Sequence, residues 1–516
     1  MPENPHFIQE KTTMLKSITD ALEKTTSIYG ENTIACSESE TCSYRAFTSD
    51  AQRIGSFLLQ NGMGKKKIAI FIEKNINCLR AMFGSAYANA CYTVLDVNSS
   101  VSRLSQIICT LQPECVIVDK ESTGKWPLED IHPLEIETML EAQAVLPELE
   151  AAHRTMCDTD PLYILFTSGS TGVPKGTVVC HRSVIAYCTS VIETFGIDET
   201  TVWGSQTPLY FSMSILDVFT TVMSGATYCI IPRMYFSFPA LLMQYLNEKR
   251  VNSIYWVPSA LGIVANFRTF DAIRPEYLKL VLFAGEVMPV KQLNVWRRAL
   301  PDVCFANLYG PTEITDTCTY FVVDRDFDDR DSLPIGIPFD NCDVLVIKEN
   351  GGQVLPGEKE TGELCVRGSF LGLGYYNNPE KTAKVFTQNP LNTSYPELIY
   401  HTGDLVSYND RNELVYYGRK DFQVKHMGYR IELGEIEANI NAIEGINECA
   451  CVYVDSQIVL FYQAPKLDVE CVRRETKERL VSYMQPTRII CLPALPHNAN
   501  GKIDRKKLEA LLNEEK

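Results

Sequence analysis

The sequence predicts an α/β protein with a large N-terminal domain of parallel-type sheets and a small, mobile α+β C-terminal domain. The chain has 516 residues, more than a single hydrophobic core commonly organises. Up to about residue 330, short runs rich in Val and Ile alternate with longer helix-like stretches, and alternating strands with turn signals follow. Nearly continuous apolar strands separated by helices are typical of parallel sheets covered on both faces.

The parallel-type sheets are predicted from four apolar runs in the first part of the chain. These runs are KIAIFI (67–72), CVIVD (115–119), YCIIP (228–232) and LKLVLFAGE (278–286). Helix-like stretches such as SQIICTLQ and ALLMQYLNEK lie between them. This order of elements predicts strands that helices bury on both faces.

A smaller section is predicted between about residue 330 and the C-terminal domain. The segments DVLVIKENGG, GELCVRGSF and ELVYYGRKD alternate in polarity and contain turn residues. Alternation over a few residues is typical of strands with one buried face. We expect an antiparallel or barrel-like section here.

The C-terminal part is predicted to form a compact α+β module. It opens at GYRIELGEIEANI, where a strand continues into an amphipathic helix, and it ends in NANGKIDRKKLEALL. We place the domain boundary near Asp421, which divides the chain into residues 1–420 and 421–516.

Composition argues against several classes of function. The net charge is −16, which disfavours wrapping a polyanion such as DNA. The 18 cysteines are scattered, and the N-terminus MPENPHFIQEKTT has no apolar signal region, so we expect free thiols in a reducing cytoplasm. No apolar run approaches the roughly 18 to 20 residues that span a bilayer. We therefore expect a soluble cytoplasmic protein that binds neither nucleic acid nor membrane.

The segment LYILFTSGSTGVPKGTVVCHRSV, residues 162–184, has the composition of a phosphate-binding loop. Its Thr, Ser and Gly residues offer hydroxyls and backbone N–H groups to an anion, and Lys175 adds a positive charge. A Walker A loop is disfavoured, because Pro174 is the fifth residue after Gly169 and a glycine follows the lysine. GLGYYN at 372–377 likewise lacks the third glycine of a dinucleotide-binding fingerprint. By itself the segment is equally compatible with a flexible surface loop.

Five motifs in a fixed order carry a resemblance to a known family. They are FTSGSTGVPKG (166–176), NLYGPTEIT (307–315), HTGDLV (401–406), YYGRKDFQVKHMGYRIELGEIE (416–437) and NANGKIDRKKL (498–508). Together they resemble the core motifs of the adenylate-forming superfamily. The resemblance covers roughly residues 25 to 510. Within the superfamily, the chain is most similar to amino-acid adenylation domains of nonribosomal peptide synthesis and to freestanding D-alanine–carrier-protein ligases.

The resemblance implies that these motifs form an ATP site. The residues implied to bind ATP or AMP are Thr167, Ser168, Gly169, Ser170, Thr171, Lys175, Asn307, Leu308, Tyr309, Gly310, Asp404, Tyr416 and Arg419. Tyr309 is expected to stack on the base, and Asp404 to accept hydrogen bonds from the ribose hydroxyls.

The residues implied to act in catalysis are Lys502, Glu313 and Thr312. Glu313 suits Mg²⁺, which prefers carboxylate and phosphate oxygens; the alternative is that this residue is an exposed loop acid. Lys502 follows an Asn-Gly turn that can carry an amine into a cleft; the alternative is one more basic residue in a C-terminal run. Asp421 resembles the hinge residue of the family, although a Lys-Asp turn is also a common surface feature.

The implied reaction has two steps. An ionised substrate carboxylate needs no general base; Mg²⁺, Lys502 and the loop amides offset its repulsion from the triphosphate. Attack at the α-phosphate gives an acyl-adenylate and pyrophosphate. The small domain then turns about Asp421, withdraws Lys502 and brings the HMGYRIELGE segment to the site, where a pantetheine thiol attacks the acyl carbonyl.

The acid-binding pocket departs from the pattern of the resembled family. The implied pocket residues are Ser212, Met213, Leu216, Trp256, Leu282, Ala284, Leu308, Asp316 and Thr317. Relatives carry an Asp at the position of Ser212 that pairs with the substrate α-ammonium. A serine hydroxyl cannot neutralise a buried ammonium, so either the substrate lacks this amine or another group receives it.

Asp316 is our candidate for that group, because relatives usually have a small or apolar residue at its position. The alternative is that Asp316 caps a turn or pairs with a nearby base. Asp217 is a further candidate, although a one-turn shift along a helix would point it away from Ser212.

The acceptor of the acyl group is expected to be a separate carrier protein with a pantetheine arm, since the chain ends soon after NGKIDRKKL. An acyl-coenzyme A ligase is the alternative, because it uses the same adenylate chemistry. A non-catalytic nucleotide-binding protein is disfavoured, because Lys175, Glu313 and Lys502 are all present. The sequence leaves open which acid is activated, the oligomeric state and the pathway.

Overall fold

The computed structural model describes residues 15–169, 173–420, 423–464, 467–497 and 503–514. The strands, numbered in chain order, are β1 (Thr33–Cys36), β2 (Thr41–Ser43), β3 (Lys67–Ile70), β4 (Cys91–Val94), β5 (Cys115–Val118), β6 (Leu134–Glu135), β7 (Pro161–Thr167), β8 (Lys175–Cys180), β9 (Val202–Ser205), β10 (Thr227–Ile230), β11 (Ser253–Trp256), β12 (Leu280–Phe283), β13 (Cys304–Tyr309), β14 (Thr319–Val322), β15 (Ile337–Pro338), β16 (Cys342–Ile347), β17 (Gln353–Val354), β18 (Gly362–Gly368), β19 (Gly374–Tyr375), β20 (Phe386–Gln388), β21 (Leu398–Tyr408), β22 (Leu414–Arg419), β23 (Gln423–His426), β24 (Tyr429–Glu432), β25 (Glu448–Val454), β26 (Gln457–Gln463) and β27 (Arg488–Cys491).

The helices connect these strands and cover the sheets. They are α1 (Ile18–Tyr29), α2 (Tyr44–Gln60), α3 (Ile76–Tyr87), α4 (Val101–Leu111), α5 (Lys120–Thr123), α6 (Ile136–Leu140), α7 (Leu146–Arg154), α8 (His181–Phe195), α9 (Ser214–Ser224), α10 (Pro239–Glu248), α11 (Pro258–Asn266), α12 (Val290–Ala299), α13 (Pro379–Val385), α14 (Leu433–Asn441), α15 (Val469–Arg479) and α16 (Arg505–Glu514). Single 3₁₀ turns lie at Arg233–Ser237, Thr269–Asp271, Thr312–Ile314 and Ser482–Met484. Capping side chains begin several helices: Ser17, Asn75 and Ser100 accept backbone N–H bonds in the first turns of α1, α3 and α4. No helix in the described ranges is both long and apolar enough to span a membrane.

Two large mixed sheets form the body of the N-terminal domain. The nine-stranded sheet has the order β15-β14-β13-β12-β11-β9-β10-β1-β2, and the seven-stranded sheet has the order β19-β8-β7-β4-β3-β5-β6. The strands from β1 to β13 through β10, β9, β11 and β12 are parallel, as are β7, β4, β3, β5 and β6. Nearly every residue of β3, β5, β10 and β12 is buried, because helices cover both faces. The predicted parallel-type sheets are confirmed, with antiparallel strands at their edges.

The expected barrel-like section is instead an open antiparallel sheet. Its order is β17-β16-β18-β21-β20, and β22 pairs with β21 beside β20. The long strand β21 therefore pairs with β18 on one edge and with two short strands in succession on the other. Alternating polarity specifies a sheet with one buried face, but closure needs pairing of the first and last strands, which this sheet does not make among its described residues.

The small C-terminal domain is built on the three-stranded sheet β25-β26-β27, with the hairpin β23–β24 beside it. Alternate residues of β25 and β26 enter two different apolar clusters, one of which includes α14 and α15 and the other α16. GYRIELGEIEANI forms strand β24 followed by helix α14, as predicted.

The hydrophobic cores of the two domains are separate along the chain. The main core extends from Ile18 to Leu414, and the core beside the hairpin begins at Ile431. Every one of the 18 cysteines lies within the described ranges and is a free thiol, as expected from their spacing.

Candidate active site

A cleft between the two domains is lined by many of the predicted site residues. On the large domain it is formed where strands β7, β12 and β13 end at their carboxyl termini, the edge at which α/β proteins commonly bind ligands. On the small domain it is closed by the hairpin β23–β24, through Lys425, Gly428, Tyr429 and Arg430. The HMGYRIELGE segment therefore lies at the site in this structure.

Glu313 follows Thr312, which lines the cleft, and it is fully buried, so it is not the exposed loop acid of the alternative interpretation. Its Oε1 accepts hydrogen bonds from Lys175 Nζ at 3.1 Å and from the Tyr375 hydroxyl at 2.6 Å. Its Oε2 accepts one from Arg430 Nη1 at 2.7 Å. Although burial alone raises it, Arg430 and Lys175 hold the pKa of Glu313 well below its usual range. Glu313 is therefore ionised at neutral pH.

Lys175 begins strand β8, on the far side of the predicted phosphate loop from β7. Its ammonium group also lies 4.9 Å from the centroid of the Tyr375 ring, an arrangement in which the ring face attracts the cation. Burial and the neighbouring Arg430 guanidinium lower the pKa of Lys175 to about 8, although Glu313 opposes this shift. Tyr375 belongs to GLGYYN, the segment that fails as a dinucleotide fingerprint.

The phosphate loop contacts the small domain at its first residues. The Ser168 hydroxyl donates to the Arg430 carbonyl, and the Gly169 N–H donates to Glu435 Oε2 at 3.0 Å. Arg103, from α4, donates to Glu435 Oε1 at 2.7 Å. Burial raises the pKa of Glu435, although Arg103 and the Gly169 N–H oppose this effect. Thr167 ends β7 and lines the cleft.

Four predicted residues lie outside the described ranges: Ser170, Thr171, Asp421 and Lys502. The described residues that flank Lys502 in the sequence are His497 and Ile503, which form an antiparallel bridge with each other. Ile503 packs against the apolar cluster of α16, on the face of the small-domain sheet opposite to the hairpin cluster.

The predicted ribose-binding acid, Asp404, is buried at the other side of the cleft. Its Oδ2 accepts a hydrogen bond from the Tyr309 hydroxyl, and its Oδ1 accepts one from Arg419 Nη1 at 2.6 Å. Lys425 Nζ lies 5.0 Å from the centroid of the Tyr309 ring. The centroids of the Tyr309 and Tyr416 rings are 6.4 Å apart. The structure thus brings Tyr309, Asp404, Tyr416 and Arg419 together.

The remaining predicted nucleotide residues come from β13 and the turn that follows it. Asn307 donates from Nδ2 to the Pro334 carbonyl at 2.8 Å, and Leu308 is buried in the core. Gly310 approaches the backbone so closely that an added Cβ would lie 2.4 Å from Asp316 O and Thr317 Cα. Only a residue without a side chain fits at this turn.

The predicted acid pocket is only partly at the cleft surface. Ser212, Met213, Ala284, Asp316 and Thr317 line the cleft. Four other predicted residues are buried in the same hydrophobic core: Leu216, Trp256, Leu282 and Leu308.

Ser212 and Asp316 have different surroundings within this pocket. Ser212 is partly exposed, and its hydroxyl lies 3.2 Å from the Thr312 hydroxyl. Asp316 is only 2% exposed, and its Oδ2 accepts hydrogen bonds from Tyr187 at 2.8 Å and Tyr255 at 3.1 Å. Burial raises the pKa of Asp316 to about 8, although the two tyrosine hydroxyls oppose the shift.

Asp217, the further candidate, is buried in α9 beside a lysine. Burial raises the pKa of Asp217 to about 7, and the Lys74 ammonium opposes the shift. Lys74 Nζ donates to the backbone carbonyl of Ser205 at 2.9 Å and to its hydroxyl at 2.8 Å.

Several site residues were missed by the sequence analysis: Arg103, Tyr187, Tyr255, Tyr375, Lys425, Arg430 and Glu435. Lys425, Arg430 and Glu435 belong to a motif that was recognised without roles for its individual side chains, so a closer reading of that motif could have found them. The other four come from α4, α8, β11 and β19 and carry no local signal.

Comparisons with known proteins agree with this geometry. Residues 22–376 match the family described as AMP-binding enzyme. The L-proline–[L-prolyl-carrier protein] ligase of Pseudomonas fluorescens is 30% identical over 92% of this chain and 95% of its own length. The D-alanine–D-alanyl carrier protein ligase of Lacticaseibacillus paracasei is 29% identical over 91% of this chain and 94% of its own.

A solved structure with the same fold is the adenylation domain AlmE of Vibrio cholerae, crystallised with glycyl-adenosine-5′-phosphate. It superposes with a TM-score of 0.81 over 99% of this chain and 100% of its own, at 21% identity.

Proposed function

The chain belongs to the family of AMP-binding enzymes, and on this premise we propose that it is a ligase that adenylates an acid and loads it onto a carrier protein. It would use ATP to convert a carboxylic acid into an acyl-adenylate, and would then transfer the acyl group to the pantetheine thiol of a separate carrier protein. The observation that carries this proposal is the meeting of three distant segments at Glu313. Lys175 comes from the strand after the phosphate loop, Tyr375 from a later strand and Arg430 from the small domain.

In the first half-reaction, a carboxylate oxygen of the substrate forms a bond to the α-phosphorus of ATP, and the bond to pyrophosphate breaks. The acid is already ionised at neutral pH, so the protein's task is to offset the repulsion between two anions. Thr167, Ser168, Gly169, Ser170, Thr171 and Lys175 would hold the departing phosphates. Lys502, carried in by the small domain, would stabilise the charge that develops at the reacting phosphate.

Nucleotide recognition would use the second side of the cleft. Asp404 can accept hydrogen bonds from ribose hydroxyls, and Arg419 holds one of its oxygens in place at 2.6 Å. Tyr309 and Tyr416 supply flat apolar surface for the adenine, and Asn307, Leu308 and Gly310 supply backbone beside it.

Glu313 fits a Mg²⁺ ion, because it is a buried carboxylate whose pKa is held far below neutrality and Mg²⁺ prefers such oxygens together with phosphate. Its Oε2 is occupied by Arg430 from the small domain, so this oxygen is available to a metal only when the hairpin has withdrawn. When bound there, Mg²⁺ would neutralise charge on the phosphate oxygens of ATP.

The second half-reaction corresponds to the arrangement of the domains in this structure. A second cavity of about 750 Å³ meets the cleft at Phe211 and Met213 and is lined by Met427, Gly428 and Tyr429 of the hairpin. We assign it to the pantetheine arm. The thiol sulphur would attack the acyl carbonyl, AMP would leave with the bonding electron pair, and the thiol proton would pass to solvent.

Two arrangements of the small domain therefore serve the two half-reactions. The division of the hydrophobic cores between Leu414 and Ile431 supports domains of residues 1–420 and 421–516 with a hinge at Asp421. The pairing of His497 with Ile503 on the face opposite to the hairpin cluster supports a turn that exchanges the hairpin for Lys502.

ATP–pyrophosphate exchange with a panel of acids tests the first half-reaction. Exchange with at least one acid supports the proposal, and loss of exchange in every case contradicts it. Lys502→Ala should lower the exchange rate by about 10²- to 10³-fold, because it removes one group that stabilises the transition-state charge. Lys506→Ala is the matched control, since Lys506 is an exposed lysine four residues away. The exchange rate of this variant should equal that of the unaltered enzyme.

Mass spectrometry of an acylated acceptor tests the second half-reaction. The purified enzyme is given its best acid, ATP and either a carrier protein bearing phosphopantetheine or free coenzyme A. Acylation of the carrier with little acyl-coenzyme A supports the proposal. Preferential formation of acyl-coenzyme A would identify the chain as an acid–coenzyme A ligase.

A further inference from the structure

Asp316 is a buried carboxylate in the acid pocket without a cationic partner. Both of its tyrosine donors bind the same oxygen, Oδ2. Among the described residues, no Lys, Arg or His nitrogen lies within the 4.0 Å limit of an ion pair with Asp316. The Lys425 ammonium opposes the rise in the pKa of Asp316; it lies over the Tyr309 ring and belongs to the hairpin that closes the cleft. The ionised form of a carboxyl group buried in these surroundings is unfavourable unless a cation pairs with it.

Two buried carboxyl groups near the pocket have different neighbours when no substrate is bound. Lys74, which is held in place by Ser205, opposes the rise in the pKa of Asp217, although neither Asp217 oxygen has a hydrogen-bond partner among the described residues. Asp316 has only the hydroxyls of Tyr187 and Tyr255, and the charge of Asp217 disfavours its ionisation further. Near neutral pH and without substrate, the Asp316 carboxyl is therefore mostly protonated, and a cation that enters through the cleft it lines would favour its ionised form.

The position of Asp316 indicates where this charge belongs on the substrate. Ser212 is partly exposed and lies in hydrogen-bond distance of Thr312, a residue that the resemblance implies to act in catalysis. Asp316 is only 2% exposed and is held by two fully buried tyrosines, one from α8 and one from β11. A substrate amine that reaches Asp316 must therefore enter a more enclosed part of the pocket than the part beside Ser212 and Thr312.

We propose that Asp316 is the counter-ion of a substrate ammonium group separated from the reacting carboxylate by more than one carbon. The substrate class is then a β- or ω-amino acid. Ser212 leaves the α-position without a charged partner, and the two tyrosines orient the Asp316 carboxylate toward the cleft. This inference rests on the proposed adenylation function.

The class of substrate is tested first on the unaltered enzyme by ATP–pyrophosphate exchange. The panel contains glycine and other α-amino acids, 3-aminopropanoate, 4-aminobutanoate and 5-aminopentanoate, and the amine-free and N-acetylated acid of each length. We expect the highest kcat/KM for one of the β- or ω-amino acids. Its amine-free and N-acetylated counterparts should be at least about 30-fold poorer, the loss commonly measured when one partner of a buried charge pair is removed.

Asp316→Asn then tests the residue itself. The substitution should raise KM for the preferred amino acid at least about 30-fold. The ratio of kcat/KM for that amino acid to kcat/KM for the amine-free acid of the same length should fall toward one or below it. A residue that acted only in packing would change both acids alike. Tyr187→Phe is the matched comparison, because it removes one hydrogen bond and keeps the carboxylate; it should change KM much less than Asp316→Asn.

The outcomes separate this inference from the function on which it rests. Exchange with amine-free or α-amino acids as the best substrates, unaffected by Asp316→Asn, overturns the counter-ion role and leaves adenylation intact. No exchange with any acid overturns the proposed function itself. If Asp316→Asn does not fold, the comparison of free and N-acetylated amino acids on the unaltered enzyme still decides the question.

Discussion

Glu313 shows how far the role of one side chain depends on its surroundings. In sequence it is an acid in a loop after a Gly-Pro turn, which is compatible with an exposed residue. In the structure its two oxygens hold Lys175, Tyr375 and Arg430 together. Removal of either cationic partner, Lys175 or Arg430, would leave a buried charge incompletely compensated, which commonly costs about 3–5 kcal/mol.

Asp316 makes a prediction about stability that is independent of activity. Its pKa in the folded protein, about 8, lies above the ordinary value of 3.8. Between these values the unfolded chain binds fewer protons than the folded protein, so the stability of the folded protein falls as pH rises. Asp316→Asn has no carboxyl group here, so its stability does not fall with pH for this reason. The free energy of unfolding of the variant minus that of the unaltered protein should therefore grow by up to about 1.4 kcal/mol per pH unit from pH 5 to 8.

Thermal melting of both proteins without substrate, measured between pH 5 and 9, checks this expectation. The difference in Tm should widen up to about pH 8 and then level off. Asp302→Asn, at an exposed carboxylate, should show no such trend. A difference that stays constant with pH would contradict the raised pKa of Asp316.

At the scale of elements, the hairpin β23–β24 carries the small domain's contribution to the cleft. Gly428 lies at its turn with φ of +80°, and its N–H donates to Glu286 Oε1 at 2.5 Å. A Cβ at this position would lie 2.5 Å from Val257 Cγ1, far inside van der Waals contact. The hairpin therefore reaches the large domain only because this residue has no side chain.

Gly428→Ala should separate the two half-reactions. The left-handed backbone conformation costs an alanine about 1–2 kcal/mol, and the overlap with Val257 adds to this in the docked arrangement. Transfer to the carrier should fall at least about 10-fold, whereas ATP–pyrophosphate exchange, which does not need the docked hairpin, should be retained. Single-turnover acylation and exchange assays on the same preparation measure the two rates.

The control for this prediction is Val257→Ala in the Gly428→Ala background. It removes the overlap but not the backbone strain, so transfer should recover in part. Equal losses in both half-reactions would contradict the role of the hairpin in transfer alone.

The elements and the nucleotide motifs could be predicted from the sequence because their signals are local. Apolar runs identify β3, β5, β10 and β12, and the contiguous motifs place Asp404 and Glu313 in the same site. Tyr187 and Tyr255 could not be predicted, because they meet Asp316 from 129 and 61 residues away. Such contacts depend on how helices and strands pack. Closure of the third sheet could not be predicted for a related reason, since strand polarity does not specify which edges pair.

At the scale of the whole molecule, the ion pair of Arg103 with Glu435 joins the two domains across 332 residues of chain. Both side chains are largely buried, with exposed fractions of 11% and 4%. The sequence gives no indication of this pair, because the orientation of two domains is decided by surfaces that form only after each has folded. Removing one partner of a buried pair costs much more than removing one partner of an exposed pair, because the other charge is left buried without compensation.

Arg103→Ala should therefore weaken the docked arrangement and leave Glu435 buried without its cation, at a cost of about 3–5 kcal/mol. We expect slower transfer to the carrier, little change in ATP–pyrophosphate exchange, and an increased radius of gyration by small-angle scattering. Arg45→Ala is the control, since its pair with Glu31 is exposed at 68% and 80% and contributes about 1 kcal/mol or less. Unchanged transfer in Arg103→Ala would contradict the importance of this pair.

The contact between Glu435 and the Gly169 N–H has a consequence for the order of events in a catalytic cycle. That amide belongs to the loop proposed to hold pyrophosphate, so an anionic product and the enzyme's own carboxylate exclude one another there. While pyrophosphate is still bound, Glu435 cannot reach the Gly169 N–H, so the small domain cannot adopt the arrangement in which the thiol reacts. Thioester formation can then begin only after pyrophosphate has left. Added pyrophosphate should thus act as an inhibitor of thioester formation even from preformed acyl-adenylate, and the enzyme would sense the completion of one reaction before it begins another.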